Sequence, residues 1–198
     1  MIDTIIFDFG DIFINLDKQA PIDKMKELGL AEWNSNLDQL NIQFEKGLIK
    51  TEDFLSGIQK HIPAASKKEI TKAWNAVLLD FPLYRLEFLQ MLSNKYRLFL
   101  LSNTDAIHIA KFESTSGISF YSDFYHCFEK VYFSFEMGMR KPDPEIYTTV
   151  INNHELIPKH TLFVDDKKEN TDAALQLGLQ VWNLQVGSED VIDLFENK

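Results

Sequence analysis

The stretch TIIFDFGDIFINLD, Thr4 to Asp17, decides the fold. Its first half, Thr4–Asp8, is apolar without alternation, as expected of a strand covered on both faces of a parallel sheet. The run delivers Asp8 at its carboxyl end, and Gly10 follows two residues later. Alone, such an Asp is equally a turn or cap residue. The rest of the chain decides between that reading and a reacting carboxylate.

Four more short apolar runs follow: Arg97–Leu101, Lys130–Phe133, Thr161–Val164 and Gln180–Asn183. Helical patterns fall between them. Pro82–Leu92 places Leu83, Leu86, Phe88, Leu89 and Leu92 on one stripe. Asp143-Pro144 reads as an N-cap with Pro at the first helical position, ahead of Ile146, Tyr147, Val150 and Ile151. Lys168–Leu177 stops at Gly178. Strands alternating with helices predict an α/β fold built on a doubly wound parallel sheet.

Residues 17–80 break this alternation. Ile22, Met25 and Leu28 form one stripe closed by Gly29, and Leu37, Leu40, Ile42 and Phe44 another closed by Gly47. Ser66-Lys67-Lys68-Glu69 is a capping box opening a helix from Ile70 to Leu79. Ligands of open α/β sheets bind outside the strands' carboxyl ends, where this insertion leaves the chain. The expected organisation is therefore a Rossmann-like core of residues 1–16 and 81–198, with a helical cap of residues 17–80.

The 198 residues are 45% hydrophobic and include 16 Phe, enough for a sizeable core. A net charge of −10 argues against a nucleic-acid footprint, although an acidic protein still binds an anion through a metal and a few local cations. The single cysteine, Cys127, excludes an internal disulfide framework and a cysteine-rich zinc site, and reads as a buried thiol. The first residues lack a signal peptide's basic and long apolar regions, and no run of about 18 apolar residues exists to span a membrane. The expectation is a cytoplasmic protein with neither nucleic-acid nor membrane partners.

Three more segments join Asp8 at strand ends or in the loops that follow. Ser102 and Asn103 follow the second strand, where they are either caps for a helix starting near Asp105 or donors to an anion. Lys141 sits in GMRKPDPEIY, in the loop after the third strand, with Pro142 stiffening the backbone. Asp165 and Asp166 end the fourth strand, where adjacent acids are costly unless a cation holds them. Together they describe one pocket. Asp8, Asp165 and Asp166 suit Mg²⁺, a hard ion taking oxygen ligands. Ser102, Asn103 and Lys141 offer hydroxyl, amide and ammonium donors to a phosphate. A carboxylate is one of the nucleophile types that form an aspartyl-phosphate.

These four segments in this order resemble the haloacid dehalogenase superfamily of phosphohydrolases. The resemblance covers essentially the whole chain. It implies Asp8 as nucleophile, Ser102 as the second-motif hydroxyl, Lys141 as the third-motif cation and Asp165-Asp166 as the acidic metal motif. It also implies strand order 5-4-1-2-3 and a helical cap between the first two motifs. The first motif reads Asp-x-Gly rather than Asp-x-Asp. FEKG (Phe44–Gly47), AWN (Ala73–Asn75) and LLSNTDAIH (Leu100–His108) look like that branch too. One characterised activity of the branch is hydrolysis of sugar 1-phosphates, notably glucose 1-phosphate.

In the family pattern the residue two after the nucleophile gives its carbonyl to Mg²⁺ and its carboxyl to proton transfer. Gly10 keeps the first role and lacks the second, which general acid–base catalysis values at about 10²–10⁴-fold. Asp11, Asp17, Asp105 and His108 are the nearby titratable groups. Each also has an ordinary reading as a turn, cap or surface residue, with His108 on a helix surface. Asn170 orients Asp166 or simply opens a helix. The expected protein is thus a Mg²⁺-dependent phosphatase of a small phosphorylated metabolite, with metal ligands from Asp8, the Gly10 carbonyl, Asp166 and Asp165. A catalytically weak phospho-ligand-binding or regulatory protein is the alternative. Gly10 counts against a phosphomutase, and the Asp165-Asp166 pair against a metal-free dehalogenase.

Overall fold

The computed structural model describes residues 1–195. Five parallel strands, β1 (Thr4–Phe7), β2 (Arg97–Ser102), β3 (Lys130–Phe133), β4 (Thr161–Asp165) and β5 (Gln180–Asn183), form one sheet. Their order is β3-β2-β1-β4-β5, which read from the other edge is the expected 5-4-1-2-3. Strand β1 is central, with Phe7 opposite both Leu100 and Val164.

The helices, in chain order, are α1 (Ala20–Glu27), α2 (Ser35–Glu45), α3 (Thr51–Gln59), α4 (Lys67–Trp74), α5 (Leu83–Ser93), α6 (Ala106–Ser116), α7 (Ile118–His126), α8 (Ser134–Met137), α9 (Pro144–Asn153) and α10 (Lys168–Gln176). Alternate residues of the strands feed two apolar layers. Ile5, Phe7, Leu98 and Leu100 pack with Leu86, Leu89 and Leu92 of α5, Phe112 of α6 and Phe124 of α7. Ile6, Phe99, Leu101 and Phe163 pack with Ile146, Tyr147 and Val150 of α9 and Ala174 of α10. Both faces are covered, which is why the strands read as continuous apolar runs. Leu83 departs from the expected stripe: it is 59% exposed, and Arg85 is buried in its turn of α5 instead.

Helices α1 to α4 have an apolar cluster of their own, including Met25, Leu37, Phe44, Phe54, Ile58, Ile70 and Trp74. The capping box forms in both directions, with Glu69 N–H donating to Ser66 Oγ at 3.3 Å and Ser66 N–H to Glu69 Oε2 at 2.8 Å. Helix α4 ends at Trp74, short of the expected Leu79. Beyond it the backbone pairs with residues 15–17: Asp17 N–H donates to the Val77 carbonyl at 2.9 Å, and Leu79 N–H to that of Asn15 at 3.0 Å. The chain therefore leaves for the helical segment and returns through two adjoining, hydrogen-bonded connections. Asp143 occupies the expected N-cap position of α9, but its carboxylate does not cap; it pairs with Lys46 at 2.8 Å. Cys127 is buried, which pushes its thiol up to about 11. No helix is long and apolar enough to cross a membrane among the described residues.

Candidate active site

The carboxyl ends of β1, β2 and β4 lie side by side, so their last residues converge. Asp8 follows β1 directly, and its N–H donates to the Val164 carbonyl at 2.9 Å. Lys141, from the loop between α8 and α9, reaches in with its side chain fully buried. Its Nζ lies 2.8 Å from Asp8 Oδ1 and 2.7 Å from Asp165 Oδ2, and 5.4 Å above the Phe163 ring centre. Burial alone would depress the ammonium; Asp165 and Asp8 outweigh it and raise it. Burial pushes the Asp8 carboxyl up to about 6, against the opposing pull of Lys141.

Asp8, Asp165 and Asp166 each place a carboxylate oxygen within 4.8 Å of the others'. Their roles diverge. Asp165 is fully buried and crowded with donors: Lys141, the Lys167 N–H at 2.8 Å, and Asn170 Nδ2 at 3.0 Å from each oxygen. Asn170 thus holds Asp165, not Asp166 as its sequence position suggested, because the first turn of α10 points it back at the strand end. Asp166 is held instead by Lys18, whose Nζ lies 2.6 Å from Asp166 Oδ2 and 2.7 Å from Asp11 Oδ2. Four carboxylates, Asp8, Asp11, Asp165 and Asp166, thus share two ammonium groups. The surplus of two negative charges and the all-oxygen donor set fit a hard divalent cation.

Ser102 is buried at the end of β2. Asn103 lines the cavity beside it, and its side chain holds the lysine loop: Nδ2 donates to the Lys141 carbonyl at 2.8 Å, and Oδ1 accepts from the Lys141 N–H at 2.9 Å. Ser134 ties the neighbouring turn, its Oγ accepting from Thr104 N–H and donating to the Thr104 carbonyl, both at 3.0 Å.

Of the four titratable groups near the motifs, Asp11, Asp105 and His108 have protein partners on every polar side-chain atom, while both bonds to Asp17 fall on its Oδ1. Asp11, at φ +58°, accepts from Leu16 N–H at 3.0 Å and pairs with Lys18. Asp17 accepts from Gln19 and Ala20 N–H groups at the start of α1. Asp105 caps α6, accepting from Ile107 and His108 N–H, and takes a hydrogen bond from Trp74 Nε1 at 3.0 Å. His108 is not on an exposed helix surface as expected. Its Nδ1 lies 2.9 Å from Asp105 and its Nε2 3.2 Å from the Trp74 carbonyl, and its ring stacks on Trp74 at 5.2 Å. Both ring nitrogens thus face acceptors; burial lowers the imidazole, but Asp105 outweighs it and raises it.

A cavity of about 300 Å³ opens beside Gly10, Ser102, Asn103 and Thr104 and extends to Trp33, Trp74 and Glu45 of the helical segment. Lys18, Glu45 and Trp33 were not singled out from sequence. Lys18 has no motif around it, and Glu45 sits within FEKG with nothing local to mark its role.

The chain matches the haloacid dehalogenase-like hydrolase family over residues 5–184. It is 28% identical to D-ribitol-5-phosphate phosphatase of Bacteroides thetaiotaomicron over 96% of this chain and 95% of that protein. Its structure is similar to that of a HAD family enzyme of the same organism, with TM-score 0.89 and 36% identity over 98% of each chain. The wild-type enzyme in complex with magnesium and inorganic phosphate gives a TM-score of 0.86 at 36% identity, covering 98% of this chain and 100% of that one.

Proposed function

Because the chain belongs to the haloacid dehalogenase-like hydrolases, as a Mg²⁺-using phosphoric monoester hydrolase, we propose that Asp8 is its nucleophile and a small polyol or sugar phosphate its substrate. The observation carrying this reading is Lys141 Nζ bridging Asp8 and Asp165 at 2.8 and 2.7 Å, with Asp166 beside them. Residues 17–80 act as the cap over that centre.

Lys141 fixes Asp8 through Oδ1, which leaves Oδ2 as the attacking oxygen. A bond forms from Asp8 to phosphorus as the ester P–O bond breaks, and the leaving oxygen departs as an alkoxide that takes its proton from water. Water then hydrolyses the aspartyl-phosphate, releasing inorganic phosphate and restoring Asp8. Lys141 and Ser102 hold the transferring phosphoryl oxygens, and the Asn103 amide keeps the Lys141 loop in place. Asp8, Asp166 and the Gly10 carbonyl would hold Mg²⁺, with Asp165 as a positioning residue whose oxygens already carry donors. The bound ion supplies positive charge that keeps Asp8 ionised and offsets its repulsion from a phosphate dianion.

The Asp-x-Gly resemblance points to sugar 1-phosphates, and the bacterial relative is named for a pentitol 5-phosphate. Phosphate release from a panel of both classes, with Mg²⁺ and with EDTA, tests the reading. Wild-type protein is expected to turn over at least one class only with Mg²⁺, and Asp8→Asn to lose that activity while still folding. Full Mg²⁺-dependent activity in Asp8→Asn would overturn it.

A further inference from the structure

The end of the cavity away from Asp8 is walled by two parallel indoles, Trp33 and Trp74, with ring centres 5.9 Å apart and planes 13° from parallel. Glu45 lies beside them, in the last turn of α2, with its side chain 18% exposed. Its direction is fixed by the core. Arg140 Nε and Nη2 both converge on Glu45 Oε2, at 3.0 and 2.9 Å. Oε1 is left with one long contact, the Asn41 amide Nδ2 at 3.4 Å. An ionised carboxylate oxygen accepts about two hydrogen bonds, so Oε1 retains acceptor capacity beside the cavity.

Beside it Asn41, whose amide contacts Glu45, presents its buried Oδ1 with no protein partner. Both His108 nitrogens and both ends of the Asn103 amide have protein partners. A ligand's carbon chain would meet indole and aliphatic surface, with a fixed anionic acceptor, Glu45 Oε1, and a neutral one, Asn41 Oδ1, available to it. Hydroxyl donors suit both acceptors. A distal carboxylate or second phosphate would face the negative charge of Glu45, with Arg140 paired to Glu45, His108 to Asp105 and Lys18 to Asp11 and Asp166, while Lys167 enters the lining next to Asp166 at the strand-end side.

Resting on the phosphatase reading above, we propose that Glu45 is a specificity-determining residue. It accepts hydrogen bonds from a neutral, polyhydroxylated carbon chain on the substrate and rejects phosphate esters that carry a second anionic group. The residue that holds it, Arg140, is joined by one peptide bond to Lys141. Recognition of the organic part is thereby mechanically linked to the group that positions Asp8.

The test compares D-ribitol 5-phosphate with 5-phospho-D-ribonate, which has the same chain but a terminal carboxylate. Phosphate release by the full chain in Mg²⁺ gives kcat/KM for each. Wild-type protein is expected to prefer the polyol by about tenfold or more, with the preference shrinking in high salt. In Glu45→Gln the preference should fall by about tenfold, chiefly through a higher KM for the polyol and a lower KM for the acid. A wild-type preference within about twofold overturns the proposal without any variant, and so does a Glu45→Gln protein that keeps the wild-type ratio. If neither compound nor p-nitrophenyl phosphate is hydrolysed in Mg²⁺, the phosphatase reading itself fails and takes this inference with it. Hydrolysis of p-nitrophenyl phosphate with no polyol preference overturns the role of Glu45 alone.

Discussion

Gly10→Asp restores the carboxyl that the family pattern places two residues after the nucleophile, and the structure sets what that change costs. Gly10 is not among the residues with positive φ, so its backbone does not require glycine. Space does. A Cβ built on Gly10 would lie 2.7 Å from Leu16 Cδ1 and 3.6 Å from Leu16 Cγ, where ordinary contact begins near 3.4 Å. A leucine methyl fills the place of the missing acid. Leu16 is also anchored, its N–H donating to Asp11 Oδ1 at 3.0 Å, so the side chain must turn without the backbone following. Turning the free end of this half-buried leucine costs about 0.5–1.5 kcal/mol, and repulsion of the new carboxylate from Asp8 and Asp11 adds to it. Gly10→Asp alone should therefore lose about 1 kcal/mol or more in urea denaturation and gain no activity. Leu16→Ala opens the space, so the double variant should be more stable than additivity predicts by about 0.5–1.5 kcal/mol. Only the double variant should gain turnover, by up to about 10²-fold on an alkyl phosphate and much less on p-nitrophenyl phosphate, whose leaving group needs no acid. Gly10→Asp within 0.5 kcal/mol of wild type (roughly the ordinary scatter of a surface change) would refute the claim that Leu16 occupies this position.

Two further outcomes follow from the buried charges. Lys141→Met leaves Asp8 and Asp165 buried without their shared cation, and removing one partner of a buried pair costs about 3–5 kcal/mol. Asp8 already titrates near 6, above its unfolded value of 3.8, so its contribution to stability is complete below 3.8 and is lost as pH rises through 6. Without Lys141 that loss continues to higher pH, so the gap between variant and wild type in urea denaturation should widen from pH 5 to pH 8; a constant gap would contradict the assignment. For His108, whose folded value is raised, the ion pair with Asp105 stabilises the fold fully below pH 6.5 and is lost as pH rises through the folded value. An NMR titration of the His108 ring should give a midpoint above 6.5, and Asp105→Asn should lower it; a midpoint at or below 6.5 in wild type would show that the pair does not hold the proton.

What the sequence made legible and what it hid divide along a physical line. The central strands β1, β2 and β4 were legible because burial leaves an unbroken apolar signature, and the edge strands β3 and β5, only partly buried, still have the bounds expected from their runs. Asp8, Asp165 and Asp166 come together because strand ends converge in a parallel sheet, so position along the chain implies proximity, and Lys141 joins them from a loop. The rest depended on side chains meeting across long separations. Lys18 reaches Asp166 over 148 positions and Arg140 reaches Glu45 over 95, and no local pattern encodes either pairing. His108 looked like a surface residue because α6, considered alone, does not reveal that Trp74 will stack on it. The contact of Asn103 with the lysine loop was hidden for a related reason. The amide suits a phosphate and a peptide equally, and the contact rests on the Lys141 backbone passing within hydrogen-bond reach.

The motif FEKG shows how those long-range contacts organise the site. Phe44 stacks on Phe54 at 4.2 Å inside the helical segment, anchoring the end of α2 to its own cluster. The next three residues all turn to the core. Glu45 pairs with Arg140, and Lys46 with Asp143 at 2.8 Å, on either side of Lys141. Gly47, at φ +64°, brings its backbone so close to the Phe135 carbonyl that a side chain would collide with it. Residues 140–143 are thus clamped between the cap's last turn of α2 on one side and Asn103 on the other. Lys141 takes its place between Asp8 and Asp165 from that clamp, since the lysine stem itself is flexible and its loop is not part of the sheet. On the proposed reading of residues 17–80 as a cap, a displacement of that segment would act on Asp8 through Arg140 and Asp143. The proposed recognition at Glu45 and the proposed nucleophile Asp8 are then joined by two side chains and a single peptide bond.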